Sequence, residues 1–78
     1  MAFYIGKDKF IPVKKCVVGE SYIIVPLQQD CALKKGQFVG KKDDDAIFTN
    51  ISVVNTTDTT YNGRRAFSLY DWEFYRLA

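Results

Sequence analysis

Apolar residues occur along this chain in short runs, broken at close intervals by glycine, proline, asparagine and aspartate. Runs of that length between turn residues predict β-strands. Phe3-Tyr4-Ile5 and Phe10-Ile11-Pro12-Val13, on either side of Gly6-Lys7-Asp8, read as a hairpin or a bent strand. Pro12 has no N–H to give a ladder, so its strand is expected at an edge or starting late. Cys16-Val17-Val18 reads as another short strand, ending at Gly19-Glu20. Residues 21–27 form the clearest strand, because Tyr22-Ile23-Ile24-Val25 is apolar on both faces, as in a centrally buried strand. Pro26 ends it or forces a bulge.

Residues 28–32 read as a loop, 33–40 as a tight turn feeding a short strand, and 41–45 as a charged turn. The second clear strand is 46–54, with Ile47, Thr49, Ile51 and Val53 on one face and Ala46, Phe48, Asn50, Ser52 and Val54 on the other. Its alternation is only partial. Beyond a polar turn, Asn62-Gly63 is the strongest hairpin signal, since a type I′ turn needs two residues at positive φ. It would pair 58–61 with 64–67. Residues 68–77 leave two readings open. Ser68 could cap a single helical turn, with Asp71 three residues on, leading into a closing strand, or a helix of two to three turns could fill the segment.

These elements predict an all-β, mostly antiparallel fold. The expected form is a small barrel or roll, SH3-like or OB-like, with at most one short helix near residues 68–76. Seventy-eight residues make one domain, with residues 22–25 and 47–53 as its central strands. Twelve aromatic rings supply core mass that the length denies, each removing about 150–250 Å² from water when buried.

The net charge of +2 hides an asymmetry: residues 1–42 sum to +5 and residues 43–78 to −3. Such a chain could present a basic and an acidic face, or interleave them in a barrel. The N-terminus has no basic region followed by a long apolar stretch, so a signal peptide is not expected. No apolar run is long enough for a transmembrane helix. The expected setting is therefore cytoplasmic, with Cys16 and Cys31 reduced and packed as small hydrophobes, and with no membrane partner.

Catalysis lacks its usual groups. The chain has no histidine, hence no His base or triad partner. Cys16 follows Lys14-Lys15, whose charge would lower a thiol pKa, but no base is at hand to orient it. Two cysteines without histidine do not complete a zinc site, and Asp43-Asp44-Asp45 lacks the ligand spacing of a calcium loop. Gly36-Gln37-Phe38-Val39-Gly40 is followed by Lys41-Lys42, not by Lys-Ser/Thr, and sits between strands. No catalytic residue, metal or cofactor is expected.

Two binding chemistries remain. Phe67, Tyr70, Trp72, Phe74 and Tyr75 lie within nine residues, flanked by Arg64, Arg65 and Arg76. Trp, Tyr and Arg are the types enriched at binding hot spots. A small core cannot hide all five rings, so Arg64, Arg65, Tyr70, Trp72, Tyr75 and Arg76 are the expected contacts for another protein or a second copy of the chain. The alternative is single-stranded nucleic acid. It would use the pairs Lys14-Lys15, Lys34-Lys35 and Lys41-Lys42 with Tyr22 as a stacking ring. Against it stand a pI near 8.6 and the three aspartates directly after Lys42.

Residues 33–40 resemble turn-and-strand segments of small β modules, virion decoration proteins among them. A short chain that is dense in aromatics and poor in catalytic groups also has the look of phage or viral accessory proteins. By that analogy it is expected to be a non-enzymatic binding module, an inhibitor of a host factor or a structural virion component.

Overall fold

A computed structural model describes residues 2–27, 33–54 and 62–78. Cys31, the loop reading of 28–32 and the 58–61 arm of the expected hairpin lie outside the described residues. Among the described residues, seven strands form one antiparallel sheet. They are β1 (Phe3–Ile5), β2 (Asp8–Val13), β3 (Ser21–Pro26), β4 (Lys34–Lys42), β5 (Asp45–Val53), β6 (Arg65–Ser68) and β7 (Trp72–Leu77). Their order across the sheet is β1-β2-β7-β3-β4-β5-β6, and the sheet curls into a half-barrel.

The curl follows from one connection. Strand β6 is an edge and β7 lies four strand spacings away, about 19 Å in a flat sheet. From Ser68 to Trp72 the chain can reach only about 14 Å. A flat sheet with this connectivity is impossible. The edge must come back over β7, and it does: the Phe67 ring meets Trp72 edge-on at 5.0 Å.

The bending is done by two bulges in the β4–β5 pair, where the register shifts between Lys35 and Gln37 and again between Phe38 and Gly40. Lys35 faces Ser52 and Gln37 faces Thr49, so β5 carries one extra residue; Asn50, in that stretch, has φ +52°. Asparagine tolerates this left-handed backbone better than most residues. Its amide Nδ2 donates to Gln37 Oε1 at 3.1 Å, tying the bulge across the pair. Phe38 faces Phe48 and Gly40 faces Ile47, so the second extra residue is in β4.

The first bulge explains the partial alternation of β5. Ala46 and Phe48 point inward, the bulge uses an extra residue, and Ile51 then points inward too. The expected face of Ile47, Thr49, Ile51 and Val53 does not exist as a unit. The tight turn expected around Gly36 is also absent, because Lys34 to Lys42 is a single nine-residue strand. Gly36 is needed there for space: a Cβ would stand 3.3 Å from Ile24 Cδ1, Ile51 Cγ1 and Phe48 Cβ.

Phe48 is fully buried at the centre of the inner core. Its ring stacks on Phe74 at 5.2 Å and meets Phe38, Phe67 and Tyr22 edge-on at 5.4, 5.8 and 6.4 Å. Ile24, Ala46 and Ile51 fill the rest, with Val13, Cys16 and Trp72 at its margin. A smaller cluster lies on the opposite face. There Tyr75 sits beside Ile23 in register, both buried, and Phe3 packs on Tyr75 at 4.6 Å and on Phe10 at 5.7 Å. Strand β3 is thus buried on both faces, as its unbroken apolar run requires.

Three local readings change. Pro12 is on β2, which lies between β1 and β7 and is not an edge. Strand β1 pairs only as far as Phe10, so no strand on that side needs a Pro12 N–H. Cys16-Val17-Val18 is loop, with Val17 60% and Val18 67% exposed. No helix forms near the C-terminus. Ser68 does act as a local cap, its Oγ accepting from Tyr70 N at 3.2 Å while Asp71 N donates to Ser68 O. The chain then extends, because Trp72 to Tyr75 find ladder partners on β3.

Ile24 and Ile51 are buried, and Ile24→Ala or Ile51→Ala should each cost about 2–5 kcal/mol in chemical denaturation. Gly36→Ala should cost about 1–3 kcal/mol by overpacking, although alanine favours an extended chain more than glycine does. Near-wild-type denaturation midpoints in the three variants would refute the core assignment.

Candidate functional site

The pleat of a strand sends successive side chains to opposite faces, so each lysine pair on a strand is divided. Lys34 shares the inner row with Ile24, and Lys35 shares the outer row with Ile23. Lys41 faces Ala46, an inner residue, while Lys42 faces Asp45. The bulge between Phe38 and Gly40 sets this choice, since without it Lys42 would fall on the inner side.

Lys41 thereby meets Lys14 and Lys15 of the β2–β3 loop around an apolar pocket of about 320 Å³. Its walls are Cys16 and Val18 from the loop, Phe38 and Gly40 from β4, Ala46 from β5, Leu69 from the β6–β7 turn and Phe74 from β7. The pocket is the mouth that the half-barrel leaves open between its loops. Two backbone bonds fix the loop: Gly19 N donates to Phe38 O and Phe38 N to Glu20 O, both at 2.9 Å. Gly19 takes φ +93° there, a conformation open to glycine. The hydroxyl of Tyr22 accepts from Val17 N at 2.7 Å and anchors the loop to the core. Leu69 is positioned by its own N–H, which donates to Asp44 O at 2.9 Å. Among the described residues, none of Lys14, Lys15 and Lys41 is held in an ion pair.

An adjoining groove of about 240 Å³ shares Lys14, Leu69 and Phe74 with the pocket and runs on to Val13, Trp72 and Glu73. Exposed apolar side chains border this region in sequence. Tyr70, at 73% exposure, follows Leu69, and Val17 precedes Val18.

The expected aromatic–arginine patch is brought together only in part, since Arg65 and Trp72 both pack on Phe67 while Tyr75 lies on the other face. Tyr75 is only 6% exposed and belongs to the outer cluster, which corrects its assignment as a surface contact. The pleat separates it from Trp72. Trp72 is half-buried, with Phe67 on one side and Lys34 Nζ 4.9 Å from its ring centroid. Arg64, Arg65, Tyr70 and Arg76 are exposed, but Arg65 lies over the Phe67 ring and Arg76 donates to Leu77 O. Tyr22 is corrected as well: its ring is 5% exposed, and no base could stack on it.

The pocket's walls were missed in sequence because their residues come from five separate elements. A usable signal was present in Lys14-Lys15-Cys16-Val17-Val18, where valines lead directly into the Gly19 turn. An apolar couplet at a turn beside lysines is more easily exposed than buried.

Burial pushes the Cys16 thiol up to about 11. Desolvation outweighs any help from the neighbouring lysines, so at neutral pH Cys16 is a thiol and a poor nucleophile. Burial likewise raises the Tyr75 hydroxyl, with Glu73 adding to the effect. Among the described residues no three of His, Cys, Asp or Glu are grouped to hold a metal. No helix of the described residues is long and apolar enough to cross a membrane. Comparisons with protein families, with curated proteins and with solved structures return no match to this chain.

The raised thiol pKa predicts slow alkylation. In a Cys31→Ser background near pH 8.5, folded protein should react about a hundredfold more slowly than denatured protein, whose thiol titrates at about 8.5. The gap should narrow as pH rises toward 11. Equal rates in both states would mean that Cys16 is not buried in the pocket wall. Tyr75→Ala should destabilise the domain by about 3–5 kcal/mol, the usual cost of removing a buried ring, where an exposed contact residue would melt as wild type.

Proposed function

We propose that this domain is a non-enzymatic protein-binding module that receives its partner at the lysine-rimmed mouth of the half-barrel. The observation that carries the reading is the convergence of Lys14, Lys15 and Lys41 on an apolar pocket walled by Val18, Phe38, Leu69 and Phe74. Apolar surface facing water forgoes about 25 cal/mol per Å², so it is favourable only when covered. Val18 and Leu69, which line the cavity, are themselves exposed, and so are their sequence neighbours Val17 and Tyr70. A small ligand in the pocket would leave Val17 and Tyr70 uncovered, whereas a protein surface would cover them. The inhibitory or virion roles expected of a short accessory protein belong to the same reading, and a reducing cytoplasm would keep Cys16 in its thiol form.

An enzymatic reading has less behind it. The thiol in the pocket is held protonated, and no histidine exists to activate it. The nucleic-acid reading keeps the three converging lysines but loses Tyr22, the ring expected to stack, which is buried.

Tagged wild-type protein and the variants Val18→Asp and Leu69→Asp would be compared by capture from cells that make the protein. Both positions are exposed, so melting temperatures should stay near wild type. The partner recovered by wild type should fall by about tenfold or more with either variant, the effect of about 1.4 kcal/mol. Undiminished recovery would move the interface elsewhere. A labelled single-stranded oligonucleotide supplies the rival outcome, since binding that falls steeply with salt would favour nucleic acid.

A further inference from the structure

We infer that the occupant of the pocket is a single bulky apolar side chain carried on an acidic peptide segment of the partner. This rests on the docking reading above and adds the partner's chemistry. Three features select it. The cavity, about 320 Å³, lies at the lower end of the range of about 300–1,000 Å³ typical of ligand pockets. That leaves room for a bulky apolar side chain together with part of the backbone that carries it. Its walls offer no acidic side chain and no polar group of a kind that reads a specific small ligand; apart from the lysines they are apolar or glycine. The charge sits at the rim alone, on three lysines without ion-pair partners among the described residues.

A lysine head reaches into water while its stem covers apolar surface, so rim lysines contact what flanks the inserted group and not the group itself. Carboxylates on residues either side of the inserted one meet that requirement. The aspartates nearest in sequence, Asp43 and Asp44, are in the exposed β4–β5 turn and do not line the pocket. Glu73 does line the adjoining groove, next to Trp72. The charged side chains that line the pocket itself are therefore all lysines, and the acid nearest them along the groove is Glu73. Carboxylates of the bound segment belong at the pocket end. Rim charges of this kind govern the rate of encounter and the choice of partner more than total affinity, and their effect weakens with salt.

The test uses capped nine-residue peptides with a central leucine. One series has glutamates on both flanks, a second has lysines, and a third keeps the glutamates with alanine at the centre. Binding is followed by fluorescence anisotropy at low and moderate salt, and pocket occupancy by alkylation of Cys16 in the Cys31→Ser protein. The glutamate–leucine peptide should bind and slow Cys16 alkylation. Lysine flanks or a central alanine should each weaken binding by about tenfold or more. Lys14→Glu and Lys41→Glu, both exposed, should do the same while leaving the melting temperature unchanged. Equal binding of lysine-flanked peptide, or binding that leaves Cys16 unprotected, would overturn the inference. So would failure of every peptide while Val18→Asp still abolishes partner capture; in that case docking at the mouth stands and only its acidic occupant falls. If Val18→Asp leaves capture intact, the docking reading itself has failed.

Discussion

The three residues between β6 and β7 impose the constraint on which the rest of the structure depends. An edge strand must be delivered beside an interior strand four places away, and so short a link reaches it only if the sheet bends back on itself. Once bent, the inner face encloses a core made mainly of aromatic rings. Phe48 stands where rings from β3, β4, β6 and β7 meet, so a single side chain reports whether both halves of the sheet are in place.

The two bulges convert that demand into local geometry, and they also decide which side chains face the interior. A bulge shifts the inward–outward alternation by one residue for everything beyond it. In β5 this lets Phe48 and Ile51, three apart, share a core. In β4 it turns Lys41 toward the mouth and Lys42 away. The lysine rim is therefore a by-product of how the sheet is curved, and the site and the core share one cause. Gly36 belongs to the same arrangement, because the inward bend brings Ile24, Ile51 and Phe48 within 3.3 Å of where a Cβ would stand.

The mouth also shows how a half-barrel differs from a closed one. Here the β2–β3 loop lies beside the open end, pinned by the Tyr22 hydroxyl and by two backbone bonds to Phe38. It covers the core incompletely and leaves an apolar recess lined by Cys16 and Val18. The burial that places Cys16 in the wall of this recess also keeps its thiol protonated.

The amino-acid sequence by itself determined the all-β class and the positions of strands β3 and β5. These are local properties: β-branched and aromatic runs, glycine and asparagine at turns, and an unbroken apolar stretch at Tyr22-Ile23-Ile24-Val25 that no half-exposed strand would carry. It also signalled that ring area would exceed what one small core holds. Only the tertiary structure decided where the excess went. A second apolar cluster on the outer face took up Tyr75 with Phe3, so Tyr75 is a core residue and not a contact. That pairing joins residues from opposite ends of the chain, and no local pattern contains it. The lysines were legible as pairs, but which member of each pair faces inward depends on strand register, and register depends on bulges that arise from the closure of the whole sheet. Ser68 made the capping contact its sequence promised, and the ladder on β3 then drew the chain into a strand, because pairing across the sheet satisfies more backbone groups than one isolated helical turn.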